Sequence, residues 1–444
     1  MERYREYKDS GVEWIGQIPT GWEVVPLKSL FTFGKGLQIT KADLGESGLP
    51  VISYGQIHSK DNSGTRITDS LIRWLPDKSG LVSESSLTHC GDFIFADTSE
   101  DTDGCGNCVL VDTNGVYAGY HTIIAHAKES RWSRYLAYLF TTDCWRSQIR
   151  SRVVGVKLYS ITRRILDPSS VLMPSVSECN AIADFLDSRI EAIDSAIADA
   201  GRSIELLEEY RKSIISEAVT KGLNSNALMK DSGIEWIGRI PARWQVVNPN
   251  GVFAQRKERA REGDEMLTAS QKYGMIPQSK YDQTENYKTV KVITGSDILK
   301  HVEPGDFVIS MRSFQGGIEY SPYRGKMSSA YVALYPRNDW RIADGYYKYL
   351  FKSFRYILSL QRTSNLVRDG QALRYANFSM VPLPYPPEDE QLAIANHLDN
   401  VTRRIDSLVE QKQILVEKLG EYRKSLIYEA VTGKFKVPDV KEGA

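Results

Sequence analysis

The sequence predicts the fold class α+β: two mixed α/β domains separated by two long helices that form an antiparallel coiled coil. The whole is a pseudo-two-fold tandem repeat. Three observations predict it. Two long motifs each occur twice. Heptad spacing leads into both copies of the second motif, and short strand-like runs fill the segments between the motifs.

The two repeated motifs mark the ends of each repeat. KDSGVEWIG at 8–16 returns as KDSGIEWIG at 230–238, an offset of 222 residues. EYRKSIISEAVTKG at 209–222 returns as EYRKSLIYEAVTGK at 421–434, an offset of 212. The second repeat is therefore ten residues shorter between its motifs. The ends of the repeats are alike, whereas their middles have diverged.

The first long helix is predicted from 177 to about 221. Ser175 and Glu178 predict a capping box, and Lys221 followed by Gly222 predicts the end of the helix. Arg211 interrupts an apolar series with heptad spacing. The members of that series are Leu186, Ile190, Ile193, Ile197, Ala200, Ile204, Leu207, Ile214 and Ala218.

The second long helix is predicted from about 388 to 432, and Thr402, Lys412 and Arg423 interrupt its seam. The seam positions are Leu398, Ile405, Val409, Val416, Leu419, Leu426 and Ala430. Gly201 and Gly420 lie inside the two helices, where each costs about 1 kcal/mol relative to alanine. We interpret both glycines as marking a close approach of the two backbones.

The middles, 20–175 and 243–386, lack long helical periodicity. Short runs such as GDFIFA at 91–96 and GDFVISM at 305–311 are bounded by turn residues and are typical of strands. Each middle is therefore predicted to be a mixed α/β unit dominated by a curved sheet. One helix is expected to follow in each, around 131–150 and 343–360.

Composition excludes several classes of protein. No stretch of eighteen apolar residues is present, and the N-terminal residues lack the apolar core of a secretory signal, so we expect a cytoplasmic protein with no membrane partner. The five cysteines form no disulfide framework. Cys105 and Cys108 form one CxxC without further ligands at suitable spacing, so no metal site is expected.

Overall charge is balanced, with 56 basic and 56 acidic residues, but two basic runs stand at matched places in the repeats. The first contains Arg146, Arg150, Arg152, Lys157, Arg163 and Arg164; the second contains Lys348, Lys352, Arg355, Arg362, Arg368 and Arg374, with Asp369 as its one acid. Aromatic residues are interleaved with both runs. This pattern favours contacts with DNA phosphates.

Motifs for catalysis do not occur in the chain. There is no phosphate-binding GxxxxGK loop, no GxSxG elbow and no HExxH, so no catalytic residue is assigned. Asp92 and Asp306 lie at matched places after a glycine, and we interpret each as a turn before a strand.

Several of these stretches together resemble a known family. DSGVEWIGQIP, the GDF before a strand, EYRKS with EAVTG, MRSFQGG (311–317) and PLPYPPEDEQLAIANHLD (382–399) are similar to the DNA-specificity subunit of type I restriction–modification systems. The resemblance covers the whole chain in order. At 172–187 the first repeat departs from the pattern, because LMPSVSECNAIADFLD lacks the Glu-Gln pair that Glu390 and Gln391 supply in the second repeat.

The resemblance implies an architecture and a function. Two target-recognition domains, joined by antiparallel spacer helices that set the gap, would read a bipartite, gapped, asymmetric DNA target. The implied partners are double-stranded DNA, two adenine methyltransferase (modification) subunits and the restriction (motor-nuclease) subunits. S-adenosylmethionine, ATP and Mg²⁺ are expected on those partners alone, so this chain would need no cofactor and would not be an enzyme.

The expected segments follow from the repeats and the resemblance. They are the N-terminal scaffold segment 1–19, target-recognition domain 20–175, spacer helix 176–222, the linker 223–242 that repeats the N-terminal segment, target-recognition domain 243–386, and the second spacer helix with its tail, 387–444.

Candidate base-reading residues are those that present paired donors or acceptors. In the first repeat, YGQIHSK is interpreted as a strand-and-turn segment that presents Tyr54, Gln56, His58 and Lys60 at alternating positions. In the second, MRSFQGG presents Arg312, Ser313 and Gln315 on a Gly-rich loop. From the basic runs, Arg146, Arg150, Arg152, Lys157, Arg163, Lys352, Arg362, Arg368 and Arg374 complete the DNA-binding set. The alternative is that Gln56 and Gln315 cap turns and Tyr54 lies in the core.

Two other functions stay open at this point. One is a coiled-coil scaffold that does not bind DNA, against which the matched basic runs argue. The other is a stand-alone DNA enzyme without a recognisable motif.

Overall fold

The computed structural model divides the chain into two compact units. Unit 1 comprises residues 1–200 and 414–444, and unit 2 comprises 201–413. No helix among the described residues is long and apolar enough to span a membrane. The described residues are 2–76, 80–286, 298–363 and 373–438.

The first repeat contributes short strands and helices followed by one helix of 46 residues. In chain order the elements are β1 (Tyr7–Asp9), β2 (Gln17–Pro19), β3 (Glu23–Pro26), α1 (Leu27–Leu30), β4 (Phe31–Lys35), β5 (Leu49–Ile52), α2 (Tyr54–Ile57), β6 (Arg73–Leu75), β7 (Phe93–Ala96), β8 (Thr98–Ser99), β9 (Cys108–Leu110), β10 (Tyr117–Ala118), β11 (Thr122–Ala127), α3 (Ser133–Thr141), α4 (Asp143–Arg150), β12 (Tyr159–Ser160), α5 (Arg163–Leu166), β13 (Ser170–Met173) and α6 (Val176–Lys221).

The second repeat has a similar order and ends in a helix of 44 residues. Its elements are β14 (Met229–Asp231), β15 (Arg239–Pro241), β16 (Gln245–Val247), α7 (Pro249–Val252), β17 (Phe253–Arg256), β18 (Leu267–Ser270), β19 (Gly274–Pro277), α8 (Gln278–Glu285), β20 (Lys300–Val302), β21 (Phe307–Ile309), α9 (Ser313–Gly316), β22 (Glu319–Tyr320), β23 (Gly325–Met327), β24 (Val332–Pro336), α10 (Asp344–Leu350), α11 (Phe354–Arg362), α12 (Tyr375–Ser379), β25 (Leu383–Tyr385) and α13 (Glu388–Val431).

A four-stranded antiparallel sheet lies in each unit. The order is β4-β11-β7-β9 in unit 1 and β17-β24-β21-β22 in unit 2. The two sheets have equivalent aromatic cores, since Phe31 meets Phe93 edge-on at 5.7 Å between ring centroids and Phe253 meets Phe307 edge-on at 5.7 Å. The predicted strands at GDFIFA and GDFVISM are the central β7 and β21, so the mixed α/β prediction is confirmed.

The single helix predicted after each sheet is two helices in both units. α3 and α4 are separated at Thr142, and α10 and α11 at Ser353; both residues have extended backbone torsions. Their hydroxyls donate to carbonyl oxygens three residues earlier, Thr142 to Leu139 at 2.6 Å and Ser353 to Leu350 at 2.7 Å. Such short side chains compete with the helix backbone and end it, which the apolar pattern alone did not predict.

The first long helix has the predicted bounds but a different cap. Ser175 Oγ accepts from the Glu178 N–H at 3.3 Å, as expected. The Glu178 carboxylate, however, accepts from the Tyr4 hydroxyl at 2.5 Å. Half of the predicted capping box is therefore replaced by a contact with the N-terminal segment. Gly222, with φ +75°, follows the last turn as predicted.

Within each unit, α6 and α13 run antiparallel. In unit 1, Asp194 of α6 pairs with Arg423 of α13 at 2.9 Å, and Phe185 meets Phe435, just beyond α13, at 5.9 Å between ring centroids. Unit 2 contains an equivalent ion pair between the two helices. Along one helix the residue numbers fall while they rise along the other, as an antiparallel pair requires.

In unit 2, Arg211 of α6 pairs with Asp406 of α13 at 3.0 Å. Farther along, a side chain at Gly222 would have its first carbon 3.9 Å from Glu390 Oε2, so this pairing is also antiparallel. Arg211, like Arg423 in unit 1, interrupts the heptad series. Each therefore replaces an apolar contact with an ion pair between the helices. These pairs are partly exposed and contribute about 1 kcal/mol or less, whereas the buried seam residues hold the helices together.

The repeated motifs close each unit by packing against each other. KDSGVEWIG connects β1 to β2, and its copy connects β14 to β15 in the same antiparallel register. A first side-chain carbon at Gly433, which has φ +69°, would lie 2.5 Å from Pro19 and 3.2 Å from Trp22. The corresponding carbon at Gly222 would lie 3.2 Å from Trp244. Glycine is therefore required both for its backbone and for the close contact.

The departure at the start of α6 does not disturb the helix. In unit 2, the buried Gln391 amide donates to the Arg341 and Pro386 carbonyls and accepts from the Ala343 N–H. Cys179 occupies the corresponding position in unit 1 and is buried, and burial raises the pKa of its thiol to about 12. One weak hydrogen bond, from the Cys179 thiol to the Pro174 carbonyl at 3.8 Å, thus replaces the three of Gln391, and α6 still begins at Val176.

The interpretation of Gly201 and Gly420 as close-approach positions is wrong. A first side-chain carbon at either glycine would have no neighbouring atom within 4 Å outside the helix's own backbone, so neither backbone needs the missing side chain. Both glycines lie inside continuous helices, where glycine is unfavourable because the unfolded chain is more flexible.

We therefore expect Gly201→Ala and Gly420→Ala each to raise the free energy of unfolding by up to about 1 kcal/mol. Urea unfolding followed by circular dichroism measures the change. Gly433→Ala is the matched control, because its positive φ and the Pro19 contact predict a loss of stability instead. Destabilisation by Gly201→Ala would show that the helix cannot accept a side chain there.

Candidate nucleic-acid interface

The segment YGQIHSK forms a helical turn, so the predicted strand-and-turn structure is wrong. Tyr54 to Ile57 make up α2, and Gln56 Oε1 accepts from the Ser53 N–H at 3.2 Å. The turn-capping alternative for Gln56 is therefore the one observed. Because i and i+4 share a helix face, Tyr54 and His58 lie together, with ring centroids 6.2 Å apart.

His58 is held by the protein on both ring nitrogens. Nε2 lies 2.8 Å from the Thr98 carbonyl oxygen and therefore donates, and Nδ1 lies 3.1 Å from the Asn107 side-chain nitrogen and accepts. His58 thus ties α2 to β8 and supports the surface rather than offering free hydrogen-bonding groups. Lys60, two residues on, is exposed.

An aromatic cluster around Tyr54 includes two residues that the sequence analysis missed. Tyr54 meets Tyr120 at 5.6 Å and His121 at 5.4 Å between ring centroids. His121 is exposed and has φ +55°, a conformation that residues other than glycine rarely adopt, and its Nδ1 lies 3.4 Å from Asp97. The sequence signal for this cluster is GYH at 119–121, an aromatic pair that follows a glycine between two strand-like runs.

The basic run of unit 1 is divided between structural and exposed side chains. Arg146 Nε donates to the Phe140 carbonyl at 3.0 Å, and burial lowers the pKa of this arginine. Arg150 donates to Asp143 at 2.9 Å and to the Asp103 carbonyl at 3.0 Å. The prediction of phosphate contacts is therefore corrected for these two arginines, which hold α4 in place.

Arg152, Lys157 and Arg163 remain exposed in that run. Arg163 lies over the Phe33 ring at 5.6 Å and pairs with Asp167 at 3.3 Å, with 64% of its side chain accessible. These side chains and Lys60 are exposed cations of unit 1 that can reach a DNA backbone.

The unit 2 loop MRSFQGG is a short helix, α9, that follows β21. Arg312 precedes its first residue and is exposed, as is Gln315. Ser313 is fully buried, and its hydroxyl accepts from the Ser310 N–H at 2.8 Å. The prediction that Ser313 contacts bases is therefore corrected: it fixes the turn that presents Arg312 and Gln315.

The basic run of unit 2 is divided in the same way. Lys352 donates to the buried Glu319 at 2.5 Å. Burial raises the pKa of Glu319, and the Lys352 ammonium opposes that rise. Lys352 is therefore a structural ion pair, which corrects its assignment to phosphate. Arg362 is 60% exposed and pairs with Glu235 at 3.1 Å, and Arg374 is exposed at the start of α12. Arg368 lies outside the described residues.

A groove of unit 1 with a volume of about 1020 Å³ is lined by residues 60–63, by α4 and by the last turns of α13. Cations line it on both sides, with Lys60 and Arg150 opposite Arg423 and Lys424, but four aspartates line it as well. This mixture of charges does not suit a continuous phosphate backbone. The exposed loops above are therefore better candidates for contact with DNA.

Asp92 and Asp306 hold equivalent turns, as the sequence analysis interpreted them. Asp92 accepts from the His89 and Ala127 N–H groups at 2.9 Å each and from His126 Nδ1 at 2.8 Å. Asp306 accepts from the Glu303 N–H at 3.0 Å, and Arg256 provides the charged partner at 2.7 Å. Both carboxylates are buried and fully engaged in holding the strand start.

Among the residues that the structure describes, one group of three could hold a metal, and the CxxC is a further pair to consider. His89, Asp92 and His126 each place one possible ligand atom within 4.8 Å of the others, but the Asp92 oxygens already accept three N–H groups. Cys105 and Cys108 are buried, and burial raises the pKa of Cys108 to about 12. Thiolate ligands are therefore disfavoured at the CxxC.

Comparison with known proteins shows what this chain is similar to. A family model described as the type I restriction modification DNA specificity domain matches residues 241–418. The chain is 22% identical to the type I restriction enzyme MjaX specificity subunit of Methanocaldococcus jannaschii, over 98% of this chain and 99% of that protein. Along nearly its whole length this chain is therefore similar to a type I restriction enzyme specificity subunit, and residues 241–418 match the specificity-domain model. The StySPI specificity subunit of Salmonella potsdam is 23% identical over 50% of this chain and 47% of its own length.

Solved structures of the specificity family share the fold. A chain from a structure of type I restriction–modification complex assembly superposes with a TM-score of 0.67 at 17% identity, covering 95% of this chain and 99% of that one. The crystal structure of the HsdS subunit from Thermoanaerobacter tengcongensis gives a TM-score of 0.53 at 17% identity over 95% and 98%. The predicted architecture of two recognition units with long helices is therefore confirmed.

The Asp92 turn predicts how the stability of this protein responds to acid. Burial alone would raise the pKa of Asp92, but hydrogen bonds from the His126 ring and from the His89 and Ala127 N–H groups outweigh it and hold the pKa below its usual value. A carboxylate whose pKa is lower in the folded protein stabilises the fold at pH values above its pKa in the unfolded chain, about 4. That stabilisation is lost as the pH falls through its pKa in the folded protein.

We expect Asp92→Asn to lower the free energy of unfolding by about 1–3 kcal/mol at pH 7, because N–H groups lose a charged acceptor. The difference from the unchanged protein should shrink as the pH falls below about 4. Thermal unfolding between pH 7 and pH 2.5 measures both. A difference that stays constant over this range would show that the charge of Asp92 does not stabilise the turn.

Proposed function

We propose that this chain is the sequence-specific DNA-binding subunit of a type I restriction–modification complex. It recognises a bipartite, gapped, asymmetric target in double-stranded DNA, and each unit reads one half. It assembles two adenine methyltransferase subunits and the restriction subunits on that target. It performs no catalysis itself.

The observation that carries the proposal is that equivalent scaffolds present different loops. Both units have the same four-stranded sheet and the same motif-closed hairpin. Unit 1 adds α2 and the aromatic cluster that includes His121, whereas unit 2 adds the β18–β19 hairpin and α9 with Arg312. A target with two different halves requires different base-reading loops, and equivalent scaffolds can present them.

The repeated EYRKS motif supports two copies of one protein partner. Its tyrosine is exposed in each unit, Tyr210 by 55% and Tyr422 by 51%, although no DNA-reading loop contains it. Lys212 and Lys424 are exposed beside them. Neighbouring apolar side chains on the helices are also exposed: Leu206 and Leu408 in unit 2, and Ile414 and Leu415 in unit 1. One such surface per unit fits one methyltransferase per unit.

In this proposal, the partner subunits carry out the catalytic reactions. S-adenosylmethionine would bind the methyltransferase subunits, and ATP and Mg²⁺ would serve the restriction subunits. The complex would act in the cytoplasm of a bacterium or archaeon, where its DNA is found. The chain's own contribution is to orient the partners on the target.

The test is to sequence methylated adenines in a host that carries the methyltransferase gene, with and without the gene for this chain. We expect one bipartite motif to be methylated only when the chain is present. Purified protein with its methyltransferase should shift only DNA that contains the motif. Methylation that does not depend on the chain would refute the proposal. A shift without the methyltransferase, accompanied by base modification, would favour a stand-alone DNA enzyme.

Exchange of one middle tests the division of the target. We expect replacement of residues 20–175 by the equivalent segment of another family member to change one half of the methylated motif and leave the other half and the gap unchanged. The reason is that the residues of α2 and the His121 cluster lie in that segment, whereas Arg312 does not. A motif that changed in both halves would contradict separate reading.

Arg312 tests direct reading by unit 2. We expect Arg312→Ala to lose about 1–3 kcal/mol of discrimination at one base pair, because an exposed arginine can donate two hydrogen bonds to guanine. Competition among duplexes with single base changes measures it. Arg362→Ala is the matched control, since a phosphate contact weakens all sequences alike and lowers the salt slope by about one unit. An unchanged base profile in Arg312→Ala would remove α9 from the reading surface.

A further inference from the structure

An exposed apolar loop lies beside the reading surface of unit 1. The loop, residues 151–158, follows α4 and is called here the apolar loop. Val154 is 88% exposed, Val156 is 95% exposed and Leu158 is 57% exposed. Three largely exposed aliphatic side chains within five residues form a patch that water hydrates at a cost.

The apolar loop is fixed at both ends. The Arg152 and Val153 N–H groups donate to the Ile149 carbonyl at 2.9 and 3.1 Å, which continues the end of α4. Immediately after the loop, β12 pairs with β8, Tyr159 lying opposite Ser99. A first side-chain carbon at Gly155 would lie 2.3 Å from the Leu158 carbonyl oxygen, so the chain folds back tightly there. The valines are therefore presented by a defined turn.

The chain segment that contains the apolar loop is basic. No acidic residue occurs from 144 to 166, and Arg152, Lys157 and Arg164 are exposed. Exposed aliphatic side chains flanked by cations suit a polyanion with apolar groups between its charges, which is the character of a DNA groove. An apolar protein surface would gain nothing from these cations.

The position of the apolar loop also connects it to the reading residues. β8, to which the loop's exit strand is paired, carries the Thr98 carbonyl that accepts from His58. The preceding residue, Asp97, accepts from the Ile161 N–H at 2.7 Å and lies 3.4 Å from His121. One short strand thus holds α2, the His121 cluster and the apolar loop together.

We infer that Val154 and Val156 contact thymine methyl groups in the half-site that unit 1 reads, while Lys157 contacts a neighbouring phosphate. The inference rests on the proposed function and adds a specificity-determining element to it. Thymine is the base that presents a methyl group in the major groove, and apolar side chains recognise it by contact. Each methyl group buried in this way strengthens binding about three- to fivefold.

The test uses the complex of the full chain with its methyltransferase and the target identified by methylation. Each thymine of the unit 1 half-site is replaced in turn by deoxyuridine, which removes the methyl group and keeps base pairing. We expect one or two replacements to weaken binding about three- to fivefold each. The double variant Val154→Ser with Val156→Ser should bind thymine and uracil duplexes equally.

Three controls make the outcome decisive. Leu228→Ser changes an aliphatic side chain of unit 2 that is 81% exposed, and it should keep the full preference for thymine. Lys157→Ala should lower the salt slope and keep that preference. Thermal unfolding checks that the double variant is folded, which the exposure of both valines predicts.

Specific binding by the unchanged complex with no effect of any uracil would overturn the inference and leave the proposed function standing. So would a double variant that keeps the thymine preference. Loss of methyltransferase assembly by the double variant without DNA would instead show that the apolar loop docks a protein, and it too would overturn the inference. An unchanged complex that binds all sequences alike would refute the proposed function and this inference together.

Discussion

Each unit depends on the contact between a helix-ending glycine and a hairpin. Gly433 and Gly222 adopt left-handed torsions, and a first side-chain carbon would lie 2.5 Å from Pro19 at Gly433 and 3.2 Å from Trp244 at Gly222, so a side chain would clash at Gly433 and be crowded at Gly222. The contact joins the end motif of one repeat to the start motif of the other: unit 1 contains the first hairpin and the last turns of α13, and unit 2 contains the second hairpin and the last turns of α6. Neither repeat alone would contain this contact. The two motifs therefore had to remain alike in both copies while the middles diverged.

The scaffold could be predicted from the sequence because its signals are local and repeated. Heptad spacing gave both long helices to within a residue or two, and alternation gave the central strands. The α2 turn also has a local signal, because Ser53 stands three residues before Gln56. The alternating polar pattern of the same segment instead predicts a strand. The role of Lys352 could not be predicted, because its partner Glu319 is distant in sequence. Whether a cation faces solvent or a buried carboxylate depends on tertiary contacts that no spacing reveals.

Divergence between the units is tolerated where one kind of contact replaces another. Glu178 accepts from the Tyr4 hydroxyl in unit 1, whereas the matching Glu390 accepts from the Trp244 indole at 2.6 Å in unit 2. Gln391 makes three hydrogen bonds where the Cys179 thiol donates a single weak one to the Pro174 carbonyl. Both glutamates are paired, but the exchange leaves the buried Trp22 Nε1, the equivalent of the Trp244 donor, without a hydrogen-bond partner among the described residues. Substitution of the partner together with its contact lets the scaffold vary in sequence without changing its geometry.

The distribution of cations explains how a DNA reader can have no net charge. Arg146, Arg150 and Lys352 are held by internal acceptors, which reduces the number of side chains available to neutralise phosphates. Under the proposed function, counterion release, which provides sequence-independent affinity, would be correspondingly smaller, and discrimination would rest on groups such as His121 and Arg312. A single weak reader would be poorly selective. Two readers in one chain make the second contact intramolecular, so that the preferences of the two half-sites multiply while neither binds tightly to DNA that contains only one of them.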